Sequence, residues 1–597
     1  MRAQTQPANV PAAVLHYADI VLYNGKIITA DEKFSIVEAL AIRENKFLAV
    51  GTTAEILPLA GPNTRKIDLK GKAVTPGIID VHQHPFTYGM MTYFKQKNNV
   101  EYEGALPEMN DLERDIGLAW SDAGMFLRDV KRAVAAAKPG EVIGLPNQFG
   151  RGIGEGLRIC EYVTLQQLDE VSPNNPVFVF QPVNLWSTTI NSKAAEFLRL
   201  PAGTSPFARA GAPCPTEKAI VAVTNYIHWQ IPLEDKLPAF RYAQLRANRY
   251  GITMVKEHTA PPNIAGIREL WARGELTIRE RMPIPLDPHG DMSLRIPAGE
   301  AEAFFQRIGN YSGIGDDMWR FVNVRPDAVG GNMITGTVWT FEPKLHELPG
   351  KPDLPYGATG LDARQKPLAA AGGEAFVGKE AMIQAIRYGW DVSFDHTVGD
   401  RAVAEVLKTI EEGLKNQVVK RPNQIITINH TPMARAEEIK IMKELGVRPS
   451  VGPWHVFMDY MMDSALQQYG VERVGQMVPM ETFVKLGLKP ALEGDTFYTP
   501  PFWRMEKIIT RKDDKYQRVF GASEKVTRQE ALWMSTAWGA YNLGEDKKLG
   551  SIETGKLADM IVIDKDYLTI PEDDISEIKV LLTIVNGKVV FEMPGTL

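Results

Sequence analysis

The sequence predicts an α/β protein: a (β/α)8 TIM-type barrel, with a small β-sandwich formed from both ends of the chain. Between about residues 73 and 535, short apolar runs alternate with amphipathic helices. Such repeats imply parallel strands joined by right-handed crossovers. Both ends instead show short strands broken by Asn-Gly and Lys-Gly turns, which are typical of hairpins. The length of 597 residues and the number of strand–helix units favour a closed barrel over an open sheet.

The domain boundaries are predicted from these changes of pattern. Residues 1–17 are polar and contain proline, so we expect a disordered lead-in. Residues 18–72 give the N-terminal part of the sandwich, 73–535 the barrel, and 536–597 the C-terminal part of the sandwich. A stretch near 340–380 is rich in Gly, Pro and Ala and predicts a long insertion, which in such a barrel is usually a lid or a binding loop.

Composition excludes several classes of function. The formal net charge of −6 comes without a basic tract, so neither nucleic acid nor an anionic membrane surface is an expected partner. No apolar run is long enough to span a bilayer, and the first residues lack the apolar core of a signal peptide. A cytoplasmic location is expected, although a periplasmic or secreted protein whose signal had been removed would look the same.

The cysteine count limits the possible metal chemistry. Two cysteines, Cys160 and Cys214, are too few for a disulfide framework or a Cys-rich zinc site. Any transition metal must therefore be held by His, Asp, Glu or a modified Lys.

The stretch "TPGIIDVHQHP" (75–85) contains two of the chain's ten histidines. If the apolar residues before them form a strand, His82 and His84 lie on the same face. Two neighbouring imidazoles at a strand end can bind one metal ion. An isolated His-x-His pair is more often an accidental surface pair, so this motif needs support from the rest of the chain.

Further polar residues stand where later apolar runs stop. Active residues of a barrel lie at the carboxyl ends of its strands, so these side chains are expected to meet there. Together they favour a His/Asp metal site over isolated structural histidines. They are Lys256, Glu257 and His258, then Asp395 and His396, then His430, and finally Asp495.

Several of these stretches resemble landmarks of the amidohydrolase superfamily. They are "PGIIDVHQH", "DHTVGDRAVAEVL", "INHTP", "LEGD" and "WGAYNLGEDKKLGSIETGKLADMIVID". Their order is that of the amidohydrolase family 3 branch, which includes the formamide deformylases, and the resemblance covers about residues 18–592. It implies a metal-centred barrel with a sandwich made from both termini, and hydrolysis at a carbonyl, most often of a C–N bond.

The resemblance also implies roles for individual residues. The expected metal ligands are His82, His84, His396, His430 and Asp495, and zinc is the most suitable divalent ion for such a set. A bound metal lowers the pKa of its water to about 7 and so provides hydroxide at neutral pH. Asp495 is expected to take the proton from that water and pass it to the leaving nitrogen. His430 is expected to polarise the carbonyl.

The number of metal ions is left open by the sequence. Many relatives bridge two metals with a carboxylated lysine on a mid-barrel strand, but Asn323 stands at that position here. Lys256, on an earlier strand, is the other candidate for a carboxylated bridge, and its alternative is an ordinary ion pair with Glu257. One or two ions per chain are both compatible with the sequence.

Aromatic residues crowd the segments expected at the mouth of the barrel. They predict a pocket for a bulky or aromatic small molecule, although they could equally pack against one another as core. The candidate substrate-binding residues are Trp186, Trp454, His455, Phe497 and Tyr498.

These observations lead to a predicted function. We expect a metal-dependent hydrolase that cleaves an amide or related C–N bond of a small, hydrophobic or aromatic molecule through a metal-activated hydroxide. A deaminase of a cyclic amine would use nearly the same residues, and a non-catalytic binding barrel is the alternative from another class. The oligomeric state is left open, with a homodimer as one option.

Overall fold

A computed structural model describes most of the chain. The described residues are 16–97, 99–105, 117–147, 159–180, 188–200, 205–257, 261–286, 296, 299–326, 338, 340–341, 378–495 and 499–597. The predicted lead-in and the predicted insertion fall almost wholly outside these ranges. Within them, no helix is long and apolar enough to cross a membrane.

The first seven strands precede the barrel. They are β1 (Ala18–Tyr23), β2 (Lys26–Ile28), β3 (Ile36–Val37), β4 (Ala39–Arg43), β5 (Lys46–Gly51), β6 (Ala60–Asp68) and β7 (Ala73–Pro76). Four of them form a sheet in the order β5-β4-β1-β6. In β4 nearly every residue is buried, because one face packs on the second sheet and the other on a short helix, Thr53–Ile56.

The next eleven strands belong to the barrel and to a lobe inserted in it. They are β8 (Ile78–Gln83), β9 (Ile143–Pro146), β10 (Val177–Phe180), β11 (Thr189–Ile190), β12 (Ile252–Glu257), β13 (Arg279–Pro285), β14 (Trp319–Arg325), β15 (Val392–Thr397), β16 (Ile426–His430), β17 (Arg448–Val451) and β18 (Ala491–Leu492).

Eight of these strands form one parallel sheet in the order β18-β17-β16-β15-β14-β13-β12-β8. A parallel bridge between Gln83 and Asp495 joins the two ends of this sheet, so the barrel is nearly closed. The prediction of a (β/α)8 barrel is therefore confirmed. All eight carboxyl ends point to the same face, which is where the polar residues gather.

The lobe inserted between β8 and β12 corrects one part of the prediction. Two of the apolar runs between residues 73 and 535, "EVIGLP" and "NPVFVFQP", have the strand-then-helix pattern that predicts barrel strands. They form β9 and β10, which pair with each other and with β11 in a separate three-stranded sheet. These runs have the length and apolar character of barrel strands, but they pack on a core of their own that includes Trp120 and Phe126.

A disulfide joins Cys160 and Cys214 across 54 residues of this region. Both cysteines are buried. The bond ties the 3-10 helix Ile159–Glu161 to the segment just before the helix Glu217–Asn225.

The last three strands complete the second sheet of the sandwich. They are β19 (Met560–Ile563), β20 (Val580–Val585) and β21 (Lys588–Glu592). The sheet has the order β21-β20-β19-β7-β2-β3, so three C-terminal strands and three N-terminal strands lie side by side in one layer and meet where β19 pairs with β7. Apolar residues of both sheets, such as Leu22, Ile42, Val562 and Leu582, form the core between them. The predicted sandwich of both termini is thus present.

Helices cover the outside of the barrel and link its strands. The α-helices after Thr53–Ile56 are Pro85–Lys97, Ala123–Ala136, Leu165–Val171, Ser192–Phe197, Glu217–Asn225, Leu233–Arg249, Pro261–Ala272, Ala301–Arg307, Lys379–Arg387, Asp400–Lys415, Ala436–Glu444, Trp454–Phe457, Asp459–Gln476, Met480–Lys485, Pro501–Thr510, Arg528–Ser535 and Ala537–Asn542. A π-helix spans Tyr226–Gln230, and 3-10 helices span Leu57–Leu59, Ile159–Glu161, Ala522–Glu524 and Glu572–Glu577.

Candidate metal centre

Four side chains meet at the carboxyl end of the barrel. His82 and His84 come from the end of β8, His396 from β15, and Asp495 from the residues after β18. Each offers one ligand atom, and these four atoms all lie within 4.8 Å of one another. The Nε2 atoms of His82 and His84 lie 3.2 and 2.9 Å from Oδ1 of Asp495. Residues separated by more than 400 positions in the sequence thus form one compact set of donors.

The backbone at this end of the barrel is held in an uncommon conformation. His396, His430 and Asp495 have φ angles of 54°, 78° and 51°, in the left-handed region. Residues other than glycine rarely adopt this conformation, and it costs about 1–3 kcal/mol at each position. All three residues stand at or just after the carboxyl end of a strand, so the strain coincides with the candidate site.

A buried ion pair supports the β8 end of the site. Oδ2 of Asp80 accepts hydrogen bonds of 2.6 Å from Nη1 of Arg504 and from Nε2 of Gln83, and Oδ1 accepts one of 2.9 Å from the backbone of Gly494. A Cβ atom at Gly494 would overlap the Gln83 amide and crowd Asp80 and Arg504, so only glycine fits there. The backbone N–H of Asp495 also donates to the carbonyl of His82, at 2.8 Å.

The electrostatics of the four residues follow from burial and mutual contact. Burial alone would raise the pKa of Asp495, but the hydrogen bonds from His82 and His84 outweigh it and hold this pKa well below its usual value. Burial lowers the pKa of His82, and it lowers that of His396 well below the ordinary value. These shifts favour an ionised Asp495 and neutral rings at His82 and His396, the protonation states that bind a metal ion.

His430 lies beside this set rather than within it. Its ring centroid is 4.6 Å from that of His82, but its Nδ1 is hydrogen-bonded to the buried Glu493, which also accepts a 2.5 Å bond from Oγ of Ser450. Burial lowers the pKa of His430, yet the Glu493 carboxylate outweighs it and raises the pKa above the ordinary value. Burial would raise the pKa of Glu493, but His430 lowers it to about 2. The Glu493 carboxylate thus favours the protonated form of the His430 ring.

Trp454 and His455 contact His430 from the next strand–helix loop. They begin the short helix after β17, and their rings stack with centroids 3.6 Å apart. The His430 ring lies 5.5 Å from that of Trp454 and 4.7 Å from that of His455. A Cβ atom at Gly452 would collide with the indole, so glycine is needed there for the ring to fold back. Both predicted substrate-binding residues therefore border the candidate site.

Lys256 is held below the site by three oxygen atoms. Its Nζ lies 2.8 Å from Oδ1 of Asp395, 2.7 Å from Oγ of Ser393 and 3.2 Å from Oδ1 of Asn429. The sequence suggested Glu257 as the alternative ion-pair partner of Lys256, but the ammonium contacts Asp395 instead. Burial lowers the pKa of Lys256, although Asp395 opposes this effect. Asn323, at the position of the family's lysine, is buried, and within the described part of the chain its Oδ1 has no hydrogen-bond partner.

Some predicted site residues lie outside the described part of the chain, and some residues that support the site were not predicted. Trp186, His258, Phe497 and Tyr498 lie outside the described residues. Sequence reasoning did not single out Asp80, Arg504 or Glu493. Two of these had a signal: Asp80 lies two residues before His82 on the same strand, and Glu493 stands in the "LEGD" stretch. Arg504 lies on a helix and had none.

A parallel barrel with a partly buried His/Asp cluster at its carboxyl end is a candidate metal site, and comparison with known proteins identifies the class. The model of the amidohydrolase family matches residues 65–591. The chain therefore belongs to the amidohydrolase family, and the predicted family and hydrolase class are confirmed.

Individual relatives span nearly the whole chain. N-substituted formamide deformylase of Arthrobacter pascens is 23% identical over 604 aligned positions, covering 97% of this chain and 99% of that protein. Protein LONG AFTER FAR-RED 3 of Arabidopsis thaliana is 23% identical, covering 98% and 93%. A solved structure of a metal-dependent hydrolase from Pyrococcus furiosus superimposes with a TM-score of 0.66 at 20% identity, covering 92% of this chain and 100% of that one. This last likeness shows the fold.

Proposed function

We propose that this protein is a mononuclear metal-dependent hydrolase that cleaves an amide or related C–N bond of a small molecule. The observation that carries the proposal is the cluster of His82, His84, His396 and Asp495, whose ligand atoms lie within 4.8 Å of one another. Three imidazoles and one carboxylate in a buried pocket are the donor set that zinc and its neighbours prefer. The residues present therefore fit a divalent ion, with zinc as the proposed one.

The catalytic roles of the residues follow from their positions around that ion. A divalent metal bound here supplies an acidified water and a Lewis acid for the substrate carbonyl. Oδ1 of Asp495 is the ionised oxygen nearest to the two β8 histidines, and it is placed to accept the proton of the attacking water. The same carboxyl group then delivers that proton to the leaving nitrogen.

His430 provides a hydrogen-bond donor for the carbonyl oxygen. Glu493 fixes its Nδ1 and keeps the ring protonated, so Nε2–H is the remaining donor. A positioned cation next to a developing oxyanion stabilises the transition state more than it stabilises the substrate. This role agrees with the burial of Glu493, whose Oε1 is bonded to the imidazole while its Oε2 accepts from Ser450.

A single metal ion is proposed because the candidate bridging lysine is already engaged. An ammonium is needed to neutralise the buried Asp395, and Lys256 provides it at 2.8 Å. Carboxylation would replace this cation with an anion next to a carboxylate, which is electrostatically unfavourable. Asn323 cannot be carboxylated.

Amide cleavage is preferred because of the family and because of the name of one relative, N-substituted formamide deformylase. The test is to load the protein with zinc and incubate it with N-benzylformamide, N-benzylacetamide and cytosine. Release of a carboxylate and an amine in equal amounts supports the proposal. Ammonia from cytosine alone would instead indicate a deaminase.

The matched variants are Asp495→Asn and Asp316→Asn. Asp316 lies at the opposite end of the barrel, just before β14, where it accepts a 2.8 Å bond from Trp271. Loss of the general base should lower kcat by about 10²–10⁴-fold, while the Asp316 variant keeps the wild-type rate. Equal rates for the two variants would contradict the role of Asp495.

A further inference from the structure

Two buried polar atoms beside His430 have no hydrogen-bond partner within the described part of the chain. They are Nε1 of Trp454 and Nε2 of His455. Trp454 is 8% exposed and His455 is 1% exposed. Buried side-chain polar atoms are nearly always paired, because leaving one unpaired costs stability. Two such atoms on adjacent, stacked rings at the mouth of a catalytic barrel indicate that a ligand pairs with them.

The chemistry of this pair follows from one hydrogen bond. Nδ1 of His455 lies 2.9 Å from the carbonyl oxygen of Gly452. A carbonyl only accepts, so Nδ1 must carry the proton, and in the neutral ring Nε2 is then an acceptor. The indole Nε1–H of Trp454 can only donate. The two unpaired atoms are therefore one donor and one acceptor.

The position of the pair links it to the reaction. The two rings are stacked with centroids 3.6 Å apart and an interplanar angle of 25°. Both contact the His430 ring, which in turn lies 4.6 Å from His82. One small molecule can therefore bind to Trp454 and His455 and also reach the candidate metal ligands.

We infer that Trp454 and His455 recognise an N–H beside a carbonyl in the substrate. The indole N–H donates to the carbonyl oxygen, and Nε2 of His455 accepts the N–H. Secondary amides, lactams and ureides carry this combination, so the substrate class is narrower than the bulky or aromatic molecule that the sequence predicted. The inference builds on the proposed hydrolase: the recognised group contains the C–N bond that the enzyme cleaves, and its carbonyl oxygen accepts from Trp454 as well as from His430.

The experiment measures binding, so that it does not depend on turnover. The probes are 2-piperidone, which has N–H beside C=O, and 1-methyl-2-piperidone, which lacks only the N–H donor. Dissociation constants on the zinc-loaded protein are measured by isothermal titration calorimetry. The wild type should bind 2-piperidone about tenfold more tightly, the discrimination expected when a buried acceptor is left unpaired.

Two variants test the acceptor of His455 and the donor of Trp454 separately. His455→Asn keeps a donor for the Gly452 carbonyl and removes the Nε2 acceptor, so the two lactams should bind equally. Trp454→Phe removes only the donor, so both lactams should weaken by a similar factor and the tenfold ratio should persist. Trp503→Phe is the matched control, because Nε1 of Trp503 has its own partner, Asp514, at 2.9 Å. It should leave both constants unchanged.

The outcomes distinguish this inference from the proposed function. A tenfold ratio in the wild type that His455→Asn abolishes supports the inference even if no amide is hydrolysed. Equal binding of the two lactams by the wild type, or no measurable binding of either, overturns it even if the enzyme is an active amidohydrolase. Retention of the ratio in His455→Asn also overturns it.

Discussion

Replacing Lys256 with methionine removes the ammonium beneath the metal site while keeping a side chain of similar length. The change leaves the Asp395 carboxylate, which is fully buried, without the partner that lies 2.8 Å from it. Burial would raise the pKa of Asp395, but Lys256 and its neighbours hold it far below the usual value. Without that ammonium, a charged Asp395 is strongly disfavoured.

The magnitude follows from what remains around Asp395. Breaking a buried ion pair by removing one partner costs about 3–5 kcal/mol. Oγ of Ser393 still donates at 2.5 Å, and Nε of Arg325 lies 3.7 Å away, so the lower end of this range, about 3 kcal/mol, is expected. With an unfolding entropy of about 2.1 cal/mol/K per residue over 597 residues, this lowers the melting temperature by about 2 °C.

The assay is scanning calorimetry on zinc-loaded protein with two comparison variants. Lys548→Met breaks an exposed ion pair instead: Nζ of Lys548 lies 2.8 Å from Oδ1 of Asp317, and the two side chains are 51% and 32% exposed. It should cost about 1 kcal/mol. Lys256→Met combined with Asp395→Asn removes the unpaired charge and should recover most of the loss. The reasoning is refuted if Lys256→Met lowers the stability no more than Lys548→Met does, or if the double variant is no more stable than Lys256→Met.

Three further predictions concern stability and metal binding. Burial lowers the pKa of Lys236 to about 8 from 10.5. Between these pH values the unfolded chain binds more protons than the folded one, so the stability of the wild type rises with pH by at most about 3 kcal/mol. Lys236→Met should lack this rise, and parallel pH profiles of the melting temperature for the two proteins would contradict the prediction. Gly494→Ala inserts a Cβ into the Asp80 hydrogen-bond network, so zinc affinity measured by competition with a chelator should fall about 10–100-fold, whereas an unchanged affinity would show that the network does not support the site. Replacing Cys160 and Cys214 together by serine should lower the free energy of unfolding by up to about 4 kcal/mol, because the bond closes a loop across 54 residues. Identical melting curves for this variant and the wild type would show that the bond adds no stability.

The barrel and the meeting of His82, His84, His396 and Asp495 at one end of it could be predicted because both depend on local patterns. The strand and the His-x-His pair that follows it can be recognised within a stretch of eleven residues. Polar residues at the ends of later apolar runs meet in space because the carboxyl ends of parallel barrel strands lie at the same end of the barrel. His396 and Asp495 were found in this way, although their left-handed backbone is visible only in the structure.

The rest could not be predicted because it depends on long-range packing. β9 and β10 have the same apolar pattern as barrel strands, and only their pairing with β11 places them in a separate lobe. The partner of Lys256 is Asp395, which is 139 residues away, rather than its neighbour Glu257. The Cys160–Cys214 bond likewise requires two distant segments to meet, and a count of two cysteines does not reveal this.

The central claim is that one metal ion is held by the histidines of β8 together with His396 and Asp495. The most direct test is the metal content per chain, measured by mass spectrometry after reconstitution with zinc and removal of excess ion. The comparison variants are His82→Ala/His84→Ala and, as the control, His228→Asn, which changes a buried histidine outside the cluster. The account predicts one ion per chain in the wild type and the control and none in the double variant. Two ions in the wild type, or a full ion retained by the double variant, would contradict it.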